Sequence, residues 1–392
     1  MNDLFKNNRR MLVYLAVSNF MLYFGFRIWQ ALFNNFAVEE MGIGPTSIGW
    51  VQALRELPGL LGFLLGFAAL LLSEVRIMSL SVILLGVGMF LTGQATSVPF
   101  LLISSLIMSV GFHFFYPSNN AVVLMTVDKK HTPRALGALS SLGAVAAVAA
   151  TGAVYLLASR WGYRTLFSVV GGMAVLGGLL LLPLGKNRDG LPPRRRVALR
   201  RQYWLYYCLA FLMGSRRHIF STFAIFLLVR EYGISVETTA TLYLINSLVN
   251  TYLFNLIGRL VTKLGERRML TISFSTLVVV FLGYAYVRYL PALFVFFLID
   301  NVTFDFNLAL TTYFQKIAVS AEEITSNLSV EQTINHIAAV IVPVAGGAAW
   351  ERFGSRAPFL AGVGIVLASL AMVQFIRTPA EPAVVVTTSG GE

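Results

Sequence analysis

The chain contains twelve apolar runs that are each long enough to cross a lipid bilayer. A membrane-spanning helix needs about 20 apolar residues, because it rises about 1.5 Å per residue through a hydrocarbon core about 30 Å thick. Charged side chains make up only 12% of the 392 residues, against about a quarter in soluble domains. We therefore predict an all-α integral membrane protein. The runs fall near residues 11–36, 46–72, 77–96, 98–125, 134–159, 164–184, 203–230, 236–261, 269–288, 291–317, 324–349 and 356–377.

The basic residues between the runs predict how the chain is oriented. With the N-terminus inside, the inner segments hold nineteen Lys and Arg residues and the outer loops hold six. Because Lys and Arg are enriched on the cytoplasmic side of membrane proteins, both termini are expected to be cytoplasmic. We predict a multi-pass protein of the cell (inner) membrane. Its net charge of +12 then reflects orientation and contact with the lipid bilayer, and no nucleic-acid partner is expected.

An internal repeat divides the chain into two halves. The loop RWGYRTLF at 160–167 returns as RFGSRAPF at 352–359, 192 residues later, and each joins the fifth and sixth run of its half. Parallel six-helix repeats are typical of one transporter architecture. We therefore predict two pseudo-symmetric six-helix bundles. The predicted domains are an N-terminal bundle, a cytoplasmic basic linker, a C-terminal bundle and a disordered tail, at 1–184, 185–202, 203–379 and 380–392.

A stretch between the eighth and ninth runs reads GRLVTKLGERRML, at 258–270. It resembles the cytoplasmic loop motif of the major facilitator superfamily, Gly-x-Leu-x-Asp-Arg-x-Gly-Arg-Arg. Thr262 stands where the family has aspartate, and Leu70 does so in the first half. The segment 116–137 resembles the end of the family's fourth helix. The motif residues that this resemblance assigns to cytoplasmic gating loops are Gly258, Gly265, Arg267, Arg268, Asp128 and Arg134.

The resemblance implies the major facilitator fold, with twelve transmembrane helices in two bundles and a cavity lined by helices 1, 4, 7 and 10. It implies a secondary transporter of small-molecule solutes. We expect a monomer that uses no cofactor. A membrane-embedded enzyme is the disfavoured rival, because the sequence has no metal-ligand cluster, nucleophile elbow or Gly-rich phosphate loop. The family's antiporter motif is matched only in part, since no proline follows Gly143 and Gly152 on the fifth run. This disfavours a proton-driven drug exporter without excluding efflux.

Polar side chains inside the apolar runs are the candidate binding residues. A charge at the bilayer centre costs at least about 2.5–3.5 kcal/mol on insertion scales, so each one is a site hypothesis. On the first run, five polar residues spaced three or four apart form one helical face, which predicts either cavity lining or packing between helices. The candidate substrate-binding residues are Asn19, Tyr23, Arg27, Gln30, Asn34, Arg55, His113, Tyr116, Asn120, Arg217, Asn246, Asn250, Asp300, Asn307 and Asn335.

The charges within the runs indicate the kind of solute. Four arginines lie in the interiors of the runs, Arg27, Arg55, Arg216 and Arg217. Their guanidinium groups bind carboxylate or phosphate at two points, which favours an anionic or zwitterionic organic solute. Arg217 is expected to face the cavity and Arg216 to pair with a buried carboxylate. If all the charges pair internally, as Arg55 and Glu56 could, the solute is instead neutral or amphipathic. The acidic residues in the interiors of the runs are Glu56, Asp300, Asp305 and Glu331.

A coupling ion and two rival classes of function complete the predictions. Asp300, Glu331 and Glu56 are the candidates for carrying a coupling proton, whereas exchange against a counter-anion needs none of them. Alternatives to the solute transporter are an exporter of drug-like or lipid-like amphipathic molecules and a solute sensor of the same fold that does not transport. With a single cysteine, Cys208, and four scattered histidines, no metal site is expected.

Overall fold

The computed structural model describes residues 9–127, 131–184 and 199–377, and all regular secondary structure in these ranges is helical. Most of the predicted linker, the predicted tail at 380–392 and Asp128 lie outside the described residues. The predicted domain boundaries stay predictions. The helices are α1 (Arg9–Asn35), α2 (Pro45–Leu60), α3 (Leu64–Leu71), α4 (Glu74–Gly93), α5 (Val98–Thr126), α6 (Thr132–Leu181), α7 (Trp204–Tyr232), α8 (Val236–Leu264), α9 (Glu266–Tyr286), α10 (Leu290–Phe304), α11 (Leu308–Ile317), α12 (Ala321–Phe353) and α13 (Arg356–Val373).

Nine helical stretches within the described ranges are long and apolar enough to cross a membrane. One of them, Arg134–Leu184, covers two predicted spans, because α6 turns sharply at Gly162. The other two predicted spans fall on α2 with α3, which are short individually, and on α8, which is rich in polar side chains. The chain therefore folds as the predicted all-α membrane protein.

Two of the predicted spans are broken in the middle. The second is interrupted between α2 and α3, three residues after Pro58, which lies inside α2 and cannot donate a backbone hydrogen bond. The tenth is interrupted by a 3₁₀ turn, Asp305–Asn307, between α10 and α11. Irregular backbone at membrane depth is tolerated where it is buried in protein or lines a cavity. Both breaks are therefore expected near a functional site.

The repeated loop has the same backbone conformation in both halves. Gly162 has φ 74° and ψ 163°, and Gly354 has φ 86° and ψ 173°. Gly265, which immediately precedes α9 in the loop motif, has φ 78° and ψ 161°. This region of backbone space is essentially restricted to glycine. Three turns between consecutive helices therefore depend on the absence of a side chain.

The two halves contact each other mainly through two helix pairs, α2 with α12 and α6 with α8. Along the first pair, small residues bring the backbones together. A Cβ on Gly347 would lie 2.5 Å from the carbonyl oxygen of Pro45, and a Cβ on Gly49 would overlap the backbone of Pro343. Small residues allow such close approach of helices. We call this contact, made by Pro45, Gly49, Pro343 and Gly347, the seam.

Hydrogen bonds join the halves at the same end of the molecule as the seam. Asn35 donates to the carbonyl oxygen of Ile234 (2.9 Å) and accepts from the hydroxyl of Thr239 (3.0 Å). Arg230 donates to the carbonyl oxygen of Ile43 (2.9 Å). These residues lie where α1 and α7 end and where α2 and α8 begin. We call this the closed end of the protein.

Candidate functional site

A cavity of about 620 Å³ lies between the two halves. Its walls come from α1, α2 and α5 of the first half and from α7, α10, α12 and the turn before α11 in the second. The predicted site residues on these walls are Arg27, Gln30, Arg55, Glu56, His113, Tyr116, Arg217, Asn307, Glu331 and Asn335. The predicted site residues that do not line this cavity are Asn19, Tyr23, Asn34, Asn120, Asn246, Asn250 and Asp300.

The polar face of α1 serves two purposes along its length. In the middle, Arg27 donates to the side-chain oxygen of Gln30 (2.7 Å), and both line the cavity. Nearer one end, Asn19 is 1% exposed and donates to the side-chain oxygen of Asn119 (2.7 Å), which ties α1 to α5. Asn34, nearer the other end, is also buried. The face is therefore cavity wall at its centre and interhelical packing towards its ends.

Adjacent arginines on α7 have opposite environments. Arg216 is 1% exposed, and its Nη1 lies 3.0 Å from Oδ1 of buried Asp300. Arg217 is exposed on the cavity wall, with its guanidinium carbon 4.0 Å from the centre of the Phe304 ring. Successive helical residues point about 100° apart. Arg217 forms no ion pair with any described residue, so its charge is available to the cavity.

A second ion pair lies on the α2 wall. Nη2 of Arg55 is 2.8 Å from Oε1 of Glu56, and the guanidinium lies 5.4 Å from the Trp29 ring. The backbone carbonyl oxygen of Arg55 accepts a hydrogen bond from the Ser109 hydroxyl on α5. Arg55 is therefore neutralised by its neighbour. Arg27 and Arg217 are the cavity arginines that have no carboxylate partner among the described residues.

Two further carboxylates lie near the helix breaks. Glu331 on α12 lines the cavity and accepts a hydrogen bond from the Tyr206 hydroxyl (2.6 Å). Asp305 lies in the turn between α10 and α11, away from the cavity wall, and one of its carboxylate oxygens is buried without a hydrogen-bond partner. Asp305 forms no ion pair within the described part of the chain.

A cluster of titratable side chains on the cavity wall has no counterpart in the sequence patterns. Oε2 of Glu56 lies 3.2 Å from Nδ1 of His336 and 3.7 Å from Nε2 of His113. The two imidazole rings are 5.2 Å apart. These residues come from α2, α5 and α12, so no local spacing could have indicated their meeting. They are the described residues that could together hold a metal ion.

The gating-loop residues are separate from the cavity. Arg267 donates from Nη2 to the side-chain oxygen of Gln374 (3.0 Å) after α13, which ties the start of α9 to the last helix. Thr262, where the motif has aspartate, donates to the carbonyl oxygen of Gly258 in its own helix (3.1 Å). The carboxylate that the motif usually supplies is therefore replaced by a hydroxyl that bonds locally. The other described residues of this group are Gly265, Arg268 and Arg134.

A model of the Major Facilitator Superfamily matches residues 15–330 of this sequence. The chain belongs to the Major Facilitator Superfamily. The match spans most of both halves, and it confirms the resemblance carried by the loop motif. Members of this superfamily are transporters, which accounts for a solute-sized cavity between two helical halves.

Solved structures of other superfamily members have the same fold. A mutant of the nucleoside transporter NupG matches with a TM-score of 0.76 and 14% identity, covering 93% of this chain and 99% of that one. A bacterial homolog of the human lysosomal transporter Spinster, in an inward-facing and occupied conformation, matches with a TM-score of 0.75 and 17% identity, covering 95% and 100%. No curated protein sequence matches the chain. At these identities the similarity shows the fold alone.

Proposed function

We propose that this superfamily member is a secondary active transporter for a small organic solute that carries a carboxylate or phosphate group. The observation that carries the proposal is the pair of cavity arginines, Arg27 and Arg217, without carboxylate partners among the described residues. They belong to different halves, on α1 and α7. A solute anion held between them would contact both halves at once.

The electrostatics of the cavity support an anion over a cation. Two of its arginines are offset by carboxylates, Arg55 by Glu56 and Arg216 by Asp300. The remaining two leave a positive charge in a partly enclosed space, where charge–charge interactions are stronger than in water. A guanidinium group can hold a carboxylate or phosphate through two parallel hydrogen bonds. The amides of Gln30 and Asn335 add neutral hydrogen-bonding groups to the same walls.

The placement of the cavity supports alternating access. The halves contact each other at the closed end, and the cavity lies on the side of the seam towards the opposite end, since its lining on α12 ends at His336, before Pro343. The orientation predicted from basic residues assigns that opposite end to the cytoplasm. Rocking of the two halves would open the seam and close the cytoplasmic side, as expected for transporters built from two repeats. We further propose a monomer in the cell (inner) membrane with both termini cytoplasmic.

Glu331 is the strongest candidate for carrying a coupling proton. It faces the cavity, and its partner is the neutral hydroxyl of Tyr206, whereas Glu56 and Asp300 are held by arginines. Glu331→Gln keeps an oxygen that can accept from Tyr206 but cannot bind or release a proton. In proteoliposomes it should abolish accumulation driven by a pH gradient while leaving exchange of solute across equal pH intact. Undiminished pH-driven accumulation would remove Glu331 from this role.

The anion proposal is tested by thermal stabilisation and by uptake into proteoliposomes, with succinate, glycerol phosphate and uridine as probes. We expect an anionic probe to stabilise the wild type and to be taken up. Arg27→Gln and Arg217→Gln should each weaken its binding about 10- to 100-fold, the worth of a charge-assisted hydrogen bond. Arg160→Gln, an exposed arginine away from the cavity, is the matched control and should bind like the wild type.

A neutral or amphipathic solute is the second candidate, because two of the four cavity arginines are already paired and aromatic rings line the walls. Phe26, Phe112 and Phe304 supply these rings. Uridine is included among the probes because one structural neighbour is named as a nucleoside transporter. Stabilisation by uridine but by neither anion would favour this reading. Binding of any probe without flux would instead identify the sensor.

A further inference from the structure

Glu56, His113 and His336 bring one carboxylate oxygen and two imidazole nitrogens within 4.8 Å of one another. We propose that these three side chains form a binding site for a divalent transition-metal ion of the zinc class. Glu56 and His113 belong to the first half, on α2 and α5, and His336 belongs to the second, on α12. A metal ion here would therefore connect the two halves at the depth of the cavity.

The distances between the ligand atoms fit this use. Zinc bonds of about 2.0–2.1 Å in tetrahedral geometry place neighbouring ligand atoms about 3.3 Å apart. Oε2 of Glu56 lies 3.2 Å from Nδ1 of His336 and 3.7 Å from Nε2 of His113, on either side of that value. His336 is only 6% exposed, and Glu56 is the described residue that its Nδ1 faces. A buried imidazole nitrogen directed at a carboxylate is in a position to share a metal ion with it.

The first-half histidine is oriented as metal-binding histidines usually are. Nδ1 of His113 lies 3.0 Å from the carbonyl oxygen of Ser109 and 2.9 Å from its hydroxyl. Donation from Nδ1 to this carbonyl oxygen leaves the lone pair on Nε2, the nitrogen that faces Glu56. Such a bond from the second ring nitrogen fixes the tautomer and orients the ring of a metal ligand.

Glu56 is held in place by its other oxygen. Oε1 pairs with Arg55 at 2.8 Å, which leaves Oε2 for the two histidines. With three protein ligands, the fourth position of a tetrahedral ion is left for water or for a solute carboxylate from the cavity. The unpaired arginines of the cavity oppose a cation, so we expect binding weaker than in a structural zinc site.

The backbone of α2 makes room for both imidazole rings. Gly59 lies one turn after Glu56, and a Cβ on it would lie 2.6 Å from Cδ2 of His113 and 2.6 Å from Nδ1 of His336. A side chain at this position would push the two rings apart or away from the carboxylate. Glycine at this position therefore permits the cluster to form.

The test is titration of cobalt(II), a spectroscopic substitute for zinc, into purified full-length protein that has been treated with a chelator. We expect visible absorption bands of tetrahedral cobalt at one equivalent, removed by added zinc. His113→Asn and His336→Asn should weaken cobalt binding at least tenfold. His131→Asn, a histidine outside the cavity, should bind like the wild type. Absence of cobalt binding in the wild type, or equal binding in both ligand variants, would overturn the proposal.

A second variant gives a gain of signal that does not depend on the loss of binding. His336→Cys keeps a ligand of suitable reach and should add a near-ultraviolet charge-transfer band between thiolate and cobalt. The wild type, whose exposed Cys208 lies outside the cavity, should lack this band. If His336→Cys binds cobalt without the band, residue 336 is not a ligand and the proposal fails. Neither measurement involves transport, so failure here leaves the proposed function standing.

Discussion

Arg216 and Arg217 follow each other on α7, yet one is a structural cation and the other is free to bind. The helix turns about 100° between them, which places Arg216 against Asp300 in the protein interior and Arg217 on the cavity wall. In the buried pair, the charges of Arg216 and Asp300 neutralise each other. The exposed arginine stacks on the face of Phe304 and forms no ion pair with the described residues, which leaves its hydrogen-bond donors to a solute.

Removing one charge of the buried pair should destabilise the protein strongly. Asp300→Asn leaves Arg216 buried without a counter-charge and is expected to cost about 3–5 kcal/mol of folding free energy. The double variant Arg216→Met and Asp300→Leu removes both charges and should regain most of that loss. Thermal unfolding of the purified proteins measures the stability of the single and the double variant. A single variant as stable as the wild type would contradict the assignment of this pair as structural.

Glu323, before the membrane-spanning part of α12, gives the protein a dependence on pH. Hydrogen bonds from Arg200 and Tyr203 hold the pKa of its carboxyl below the ordinary value of 4.5. Because the charged form is favoured in the folded state, the stabilisation is complete above pH 4.5 and is lost as the pH falls through the lowered pKa.

Glu323→Gln should therefore unfold at a lower temperature than the wild type at neutral pH, with a difference that shrinks as the pH falls below 4.5. Glu351→Gln changes an exposed carboxylate near the other end of the same helix. This matched control should leave the unfolding temperature unchanged throughout. A difference between Glu323→Gln and the wild type that is independent of pH would contradict the role of this contact.

Helical phase predicts which residues of one helix share a face. It cannot predict contacts between residues that are distant in sequence. It predicted different surroundings for Arg216 and Arg217, because that difference depends only on the rotation per residue. It could not separate the centre of the α1 face from Asn19, whose burial depends on Asn119 of another helix. It also missed the meeting of His113 and His336, because these residues are distant in sequence and are brought together by the packing of α2 against both α5 and α12.

The elements of the fold were predicted in type and approximate position from apolar runs alone. Their interruptions were not, since the second and tenth runs read as continuous helices in hydropathy. Pro58 and the turn at Asp305–Asn307 accompany the breaks, and proline in a helix interior is tolerated in membrane proteins when neighbours satisfy the freed backbone. The repeated glycine loop was predicted, and Gly162 and Gly354 adopt matching conformations.

A side chain at the repeated turn should be costly. Gly162→Ala places a Cβ in a region of backbone space that is essentially restricted to glycine, so we expect a loss of about 1–3 kcal/mol. The added atom would meet no neighbour within 4 Å, so the effect would come from the backbone. Gly172→Ala, at an equally open position within helical α6, should be neutral or slightly stabilising. Equal unfolding temperatures for the two variants would contradict this explanation.

At the scale of the whole molecule, the seam holds the two halves together beside the closed end. The backbones of α2 and α12 approach closely at Gly49 and Gly347. Close packing of this kind is lost if either helix moves outward by even a small distance. The balance between the two states of a transporter should therefore respond to one methyl group at this position.

Gly347→Ala should shift the protein towards the state in which the closed end has opened, because its Cβ would overlap the backbone of Pro45. Spin labels on Arg160→Cys and Glu351→Cys, in a Cys208→Ser background, report the distance between halves at this end. For Gly347→Ala we expect a population with longer distances between the two labels. Gly364→Ala, where an added Cβ meets nothing within 4 Å, is the control and should keep the distances of the labelled background. Unchanged distances in Gly347→Ala would contradict the importance of the seam.

The matching turns at Gly162 and Gly354 have a consequence for motion. Each turn joins two membrane-spanning helices with almost no intervening chain. We therefore expect the two helices of each pair to move as one rigid body. Bending during the transport cycle is then left to softer points in the protein. We expect the first half to bend at the interruption between α2 and α3, which begins five residues after Glu56 of the cavity wall.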